Sequence, residues 1–175
     1  KIQAIPSNSK VYMWFEDDLF CQVNFWFVAS LLIEKKEDSL LFLVRPSEHS
    51  PYSFGHLKES ELISSYENGI PLNKNIEEIS SLWQFYKQND LQNLLKTAQT
   101  LSSIYPFILQ AVEAHIERQP SHNKLGRPKE SIIQIMKELD TKEFAPIFRE
   151  FTKREAIYGF GDLQVKRMFE EIINS

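Results

Sequence analysis

Val11 to Phe15 forms a short, unbroken apolar run that ends abruptly in three carboxylates, Glu16, Asp17 and Asp18. This is how a buried strand reads when it delivers acidic groups to the mouth of a sheet. The next stretch is apolar nearly all round, with Leu19, Phe20, Val23, Phe25, Trp26, Phe27, Val28, Leu31 and Leu32. It predicts a helix reaching Leu32 or Ile33 and packed on more than one side, and Asp17 is suited to cap it. Glu34 to Asp38 is a charged turn, and Leu40 to Val44 a second continuous apolar strand. Continuous rather than alternating hydrophobicity suits a parallel sheet covered on both faces, so the unit predicted is βαβ with a right-handed crossover. One such unit is too little sheet to stand alone, and the sheet is expected to be part of a larger one.

Pro46 to Gly55 reads as loop, and beyond it every pattern is helical. Glu59 to Tyr66 is short and is stopped by Asn68-Gly69. Asn75 to Gln88, Leu91 to Leu101 and Tyr105 to Arg118 follow. The polar stretch Gln119 to Lys124 breaks the chain and sets a boundary between residues 1–118 and residues 125–175. The second part predicts three helices, Pro128 to Leu139, Phe144 to Arg154 and Leu163 to Ile173, a helix-turn-helix-like arrangement. The expected fold is an α/β part carrying a partial parallel sheet, followed by an all-helical part, mostly α by residue count.

The chemistry gathers at the strand ends, since open α/β sheets bind ligands beyond the carboxyl ends of their strands. Glu16 and Asp18, with Asp17 beside them, are the candidate ligands for Mg²⁺ or Mn²⁺. The second strand points Arg45, Ser47, Glu48 and His49 to the same edge. Carboxylates at a helix start also simply satisfy free N–H groups, and that reading stands beside the first. Gln22 lies one turn after Asp18, facing the same cleft or bonding a backbone group inside the fold; for Asn24 the structural role is favoured. Cys21, the sole cysteine, reads as a small apolar residue. The four histidines lack the spacing of a metal motif, so neither zinc nor haem is expected. In the tail, Arg127 within Gly126-Arg-Pro has the shape of a minor-groove arm as well as of a helix start. A recognition helix there would expose Gln164, Lys166 and Arg167. Gly159 and Gly161 permit a turn, and Asp162 is a good cap for the last helix.

Composition narrows the partners. The 20 basic and 24 acidic residues give a net charge of −4, which argues against gross polyanion affinity. The 42% hydrophobic content supports a real core, while the longest apolar stretch is too short to span a bilayer, whose core needs about 20 residues. One cysteine excludes an intrachain disulfide, and a cytoplasmic setting is expected. The aromatic load makes Phe25 to Val28 the expected face for a homo-oligomer contact.

Trp14, Phe15, Glu16, Asp18, Leu19 and Gln22 resemble the Trp-Phe-Glu-x-Asp-Leu-x-x-Gln signature of the bacterial family filed as "domain of unknown function 1835". Tyr158 to Val165 is similar to that family's C-terminal region, where a Gly-Asp pair precedes the last helix, and Gly55 to Tyr66 to its middle section. The resemblance implies an α/β domain followed by a helical one, and importance for Glu16, Asp18, Gln22, Gly161 and Asp162. It implies no activity. It also implies an earlier region with a His-Ile-x-Asn-Gly-Asp-like strand, so an N-terminal portion is expected to precede Lys1. The functions that remain are a ligand-sensing regulatory protein with a helix-turn-helix-like tail, a metal-dependent enzyme on a phosphorylated or nucleotide-like substrate, and an assembly protein.

Overall fold

The two apolar runs pair as parallel strands. In the computed structural model, which describes residues 2–46, 53–121 and 123–174, β1 (Lys10–Trp14) lies beside β2 (Leu40–Val44) with Met13 opposite Leu43. Helix α1 (Leu19–Leu32) connects them. β1 sits one residue earlier than the apolar run implied, and Phe15 continues the pairing only through its N–H to the Val44 carbonyl, 3.1 Å. A third strand, β3 (Ile70–Pro71), joins β2 antiparallel and gives the order β1-β2-β3. Nothing in the sequence announced it, because a two-residue strand containing Pro has no period to read. It is extended by Asn73, whose side chain accepts from the Leu41 N–H and donates to the carbonyls of Lys36 and Ser39.

The sheet is covered unequally. Met13, Leu41 and Leu43 are buried in the main core. The opposite face carries Tyr12, Trp14 and Phe42, stacked with Phe54 and with Tyr66 of α2 (Glu59–Glu67). Trp14 is 42% exposed. The expectation of a sheet enclosed on both sides is therefore corrected: aromatic side chains, rather than a helix layer, shield the second face.

Helices make up most of the chain. α3 (Ile76–Gln88) and α5 (Pro106–Glu117) pack on α1, and α4 (Leu91–Leu101) packs on α3 and α5. Asp90 caps α4 by accepting from the Asn93 N–H, and Pro106 opens α5, where its missing N–H costs nothing. α1 is packed on more than one side, with α3 and α5 against it, but Phe20, Phe27 and Leu31 form a stripe that stays exposed. Phe25 and Trp26 are wholly buried, and Phe27 packs on Trp83 at 5.0 Å. Of the face expected to meet a second copy, Phe25 and Trp26 are thus filled from within the same chain, while Phe27 remains 39% exposed. The polar groups of α1 are absorbed locally, Asn24 donating to the Phe20 carbonyl and Ser30 to that of Phe27.

The tail folds as three mutually packed helices, α6 (Arg127–Glu138), α7 (Phe144–Arg154) and α8 (Asp162–Ile173). Ile132, Ile135, Ile147, Phe151, Val165 and Phe169 form a second core. Gly126 starts α6 at φ +88°, backed so closely onto the Arg118 carbonyl that no Cβ fits. The break at residues 119–124 does not isolate the tail. Tyr158, in the short 3₁₀ turn Ala156–Tyr158, is buried in the main core, and Phe160 packs against both cores. No helix among the described residues is long and apolar enough to cross a membrane.

Candidate functional site

Three adjacent carboxylates meet three different fates at the end of β1. Asp18, not Asp17, is the helix cap: its Oδ1 accepts from the Cys21 N–H at 3.0 Å. The backbone enters α1 extended at residue 18, and only a side chain at that position reaches the third N–H of the helix. Asp17 turns the other way. It is buried and forms a two-point ion pair with Arg45, whose Nε donates to Oδ1 at 2.8 Å while Nη2 donates to Oδ2. The Arg45 guanidinium also lies 4.8 Å from the centroid of the Phe107 ring. Arg45 and Asp17 therefore bind each other, tying the ends of the two parallel strands. Glu16 is half-buried, and its Oε1 accepts from the Phe54 N–H at 3.2 Å.

Glu16, Asp18 and Cys21 come together, with ligating atoms all within 4.8 Å of one another. The Cys21 thiol lies 3.9 Å from Glu16 Oε2. Burial first, and then the negative charge of Asp18, push this thiol up to about 12. It is a poor nucleophile at neutral pH. Gln22 does not face the group. It is fully buried and donates from Nε2 to the Glu16 carbonyl at 2.8 Å. Its role is to hold the strand end that presents Glu16. Ser47, Glu48 and His49 lie outside the described residues.

The tail supplies the other wall. A cleft of about 250 Å³ is lined by Glu16, Asp18 and Cys21 on one side. Thr152 and Glu155 from the end of α7, and Gly159, Phe160 and Gly161, line the other. Gly159 sits at φ +61°, and a Cβ there would overlap the Asp18 carboxylate. Its glycine is required twice over, by backbone conformation and by the closeness of the strand end. Gly161 is the cap residue of α8, so Asp162 occupies the first helical position instead of the cap expected of it. The Gly161 N–H is met by Gln164 Oε1 at 2.7 Å. Of the residues singled out by sequence, Glu16, Asp18, Gly159 and Gly161 meet in one cleft, although more than 130 positions separate the two pairs. Thr152 and Glu155 were missed: both read as ordinary polar positions at the end of an amphipathic helix.

The candidate nucleic-acid residues are dispersed. Arg127 is not a free arm. It donates to Glu155 at 2.9 Å and Glu117 at 2.7 Å and covers the Tyr158 ring. Lys166 and Arg167 are exposed on α8, each beside a carboxylate one turn on, Glu170 at 4.0 Å and Glu171 at 3.3 Å. Gln164 is held at the helix start.

What the fold and cleft define is a mostly helical chain with a small α/β part, whose strand end and helical tail share one acidic cleft. Comparison with protein-family models, with curated proteins and with solved structures finds no match for the chain.

Proposed function

We propose that this chain is a ligand-binding regulatory protein in which a small cationic or metal-bearing ligand enters the Glu16–Asp18 cleft and its occupancy is felt by the helix-turn-helix-like tail. The observation that carries this reading is the shared wall. The tail segment from Thr152 to Gly161 closes the cleft, and Gly159 is seated against the Asp18 carboxylate. A ligand that draws on Asp18 must therefore disturb or tighten the seat of the tail. The acidic lining sets the ligand's sign. The resemblance to the uncharacterised bacterial family agrees with it, since the signature residues Glu16 and Asp18 and the C-terminal Gly161 line the same cleft.

The test is amide hydrogen exchange over residues 151–161 with and without Mn²⁺, Mg²⁺ or spermidine. Slower exchange there with one of the three, lost in Glu16→Gln, is the expected result. Unchanged exchange with all three contradicts the reading. What the tail contacts is a separate question, answered with mixed genomic DNA. Phosphate-mediated binding should be seen at about 50 mM salt and weaken steeply above it. No binding makes the tail a protein-interaction module.

A second reading is favoured by one observation, the convergence of Glu16, Asp18 and Cys21 within 4.8 Å. Here the group holds Mg²⁺ or Mn²⁺ for an enzyme acting on a phosphorylated or nucleotide-like substrate. It ranks below the first because Arg45, expected to assist, is engaged by Asp17, and Gln22 faces away. Calorimetry with each metal decides. Asp18→Asn keeps the helix cap but removes the charge, and it should abolish the heat if this reading holds.

A further inference from the structure

On the far side of Phe20 and Phe160 lies a second cleft, also about 250 Å³, of opposite character. It shares those two rings with the acidic cleft but none of its charged groups. Among the described residues, the one charged residue lining it is Arg118, at the end of α5.

Arg118 is held from behind. Its Nε donates to His115 Nδ1 at 3.1 Å, and Nη2 donates to the Tyr86 hydroxyl at 3.1 Å. Burial, and then the nearby guanidinium, push His115 down to about 4. The imidazole is therefore neutral at pH 7, and its Nδ1 accepts the guanidinium N–H without adding a second positive charge. The adjacent carboxylates Glu117 and Glu155 are both taken by Arg127. Among the described residues Arg118 has no carboxylate partner, and its Nη1 has no hydrogen-bond partner among them. A cation near a helix C-terminus is favoured by the dipole alone. That accounts for the charge being there, but not for a guanidinium fixed by two neutral acceptors with one edge left open.

Two further donors belong to the same cleft. Gln164 uses Oε1 on the Gly161 N–H, which leaves its amide N–H groups for the cleft. Tyr158 is wholly buried, and its hydroxyl has no hydrogen-bond partner among the described residues. Burial raises its pKa, so the phenol stays protonated. An unmet buried donor costs about 1–3 kcal/mol, and a fold that leaves one beside an unpaired guanidinium is complementary to an acceptor carrying negative charge. Arginine presents a planar fork that suits carboxylate and phosphate alike. Phe20 and Phe160 offer apolar sides for the remainder of such a molecule.

We infer that this cleft binds the oxyanion group, carboxylate or phosphate, of a small molecule, with Arg118 as the charged donor and Gln164 and Tyr158 as neutral donors.

The test is an NMR titration of the full chain, following the Arg118 Nε–H and Gln164 side-chain amide signals. Benzoate and inorganic phosphate are the two probes, with chloride at equal ionic strength as reference. Saturable shifts of both signals are expected with at least one probe, and which probe succeeds assigns the group as carboxylate or phosphate. Arg118→Gln should weaken that binding about tenfold or more, and the isosteric Tyr158→Phe about fivefold. No shift beyond that of chloride with either probe overturns the inference, as does undiminished binding by Arg118→Gln. Should Arg118→Gln fail to fold, Tyr158→Phe decides: a loss of affinity supports the site and wild-type affinity removes it.

Discussion

The end of β1 and the exposed face of α8 both carry clustered charge, and they use it in opposite ways. At the strand end, each carboxylate has a fixed partner or a fixed direction. Asp17 is closed onto Arg45, Asp18 onto the helix start, and Glu16 onto the Phe54 N–H. On α8, Lys166 and Arg167 stand in water opposite Glu170 and Glu171. Charge placed by backbone geometry and burial has consequences for the fold. Charge placed on a solvated helix face is screened and mostly adds solubility. The contrast supports the proposed reading, in which a ligand is bound at the cleft rather than on α8.

The largest effect that sharpens the contrast should come from Asp17→Ala. It strands the half-buried Arg45 guanidinium, and urea denaturation should show a loss of about 3 kcal/mol. A loss below about 1 kcal/mol would mean that Arg45 simply rehydrates and that Asp17 is as dispensable as a surface charge. Next is Gly159→Ala. Positive φ and the encounter with Asp18 together should cost about 2 kcal/mol, with faster hydrogen exchange across residues 151–161. Asp18→Ala removes the α1 cap and should cost about 1 kcal/mol. At the other pole, Lys166→Ala and Arg167→Ala should each stay within about 0.5 kcal/mol of wild type. A larger loss from either would erase the distinction between the two regions.

Much of this arrangement was legible in sequence, and the limits are physical. The unbroken runs Val11–Phe15 and Leu40–Val44 read as strands and pair in parallel as expected, although one face of the sheet is only partly covered. The tail helices were marked by Pro128 and by the glycines before α8. Which of three consecutive carboxylates caps α1 was not legible, because each has the right chemistry and the choice rests on one backbone angle. α1 was read correctly as packed on more than one side, but its helical cover is α3 and α5 of the same chain, a pairing that local pattern does not encode, and Phe20, Phe27 and Leu31 stay exposed. Gly159 was readable as a turn residue. That it turns against Asp18 was not, since the contact joins positions 141 residues apart. Arg118 left a faint signal: the residues one turn before it are Ala114 and His115, so no carboxylate on that side of its own helix neutralises it.

The central claim is that the tail is seated on the strand end through Gly159 and Asp18. A double-mutant cycle tests it directly, using Gly159→Ala and Asp18→Ser, the serine retaining the cap while removing the carboxylate that the new Cβ would meet. The account predicts that Gly159→Ala costs about 1 kcal/mol less in the Asp18→Ser background than in wild type, the remainder being the backbone strain. Strict additivity of the two changes would contradict it.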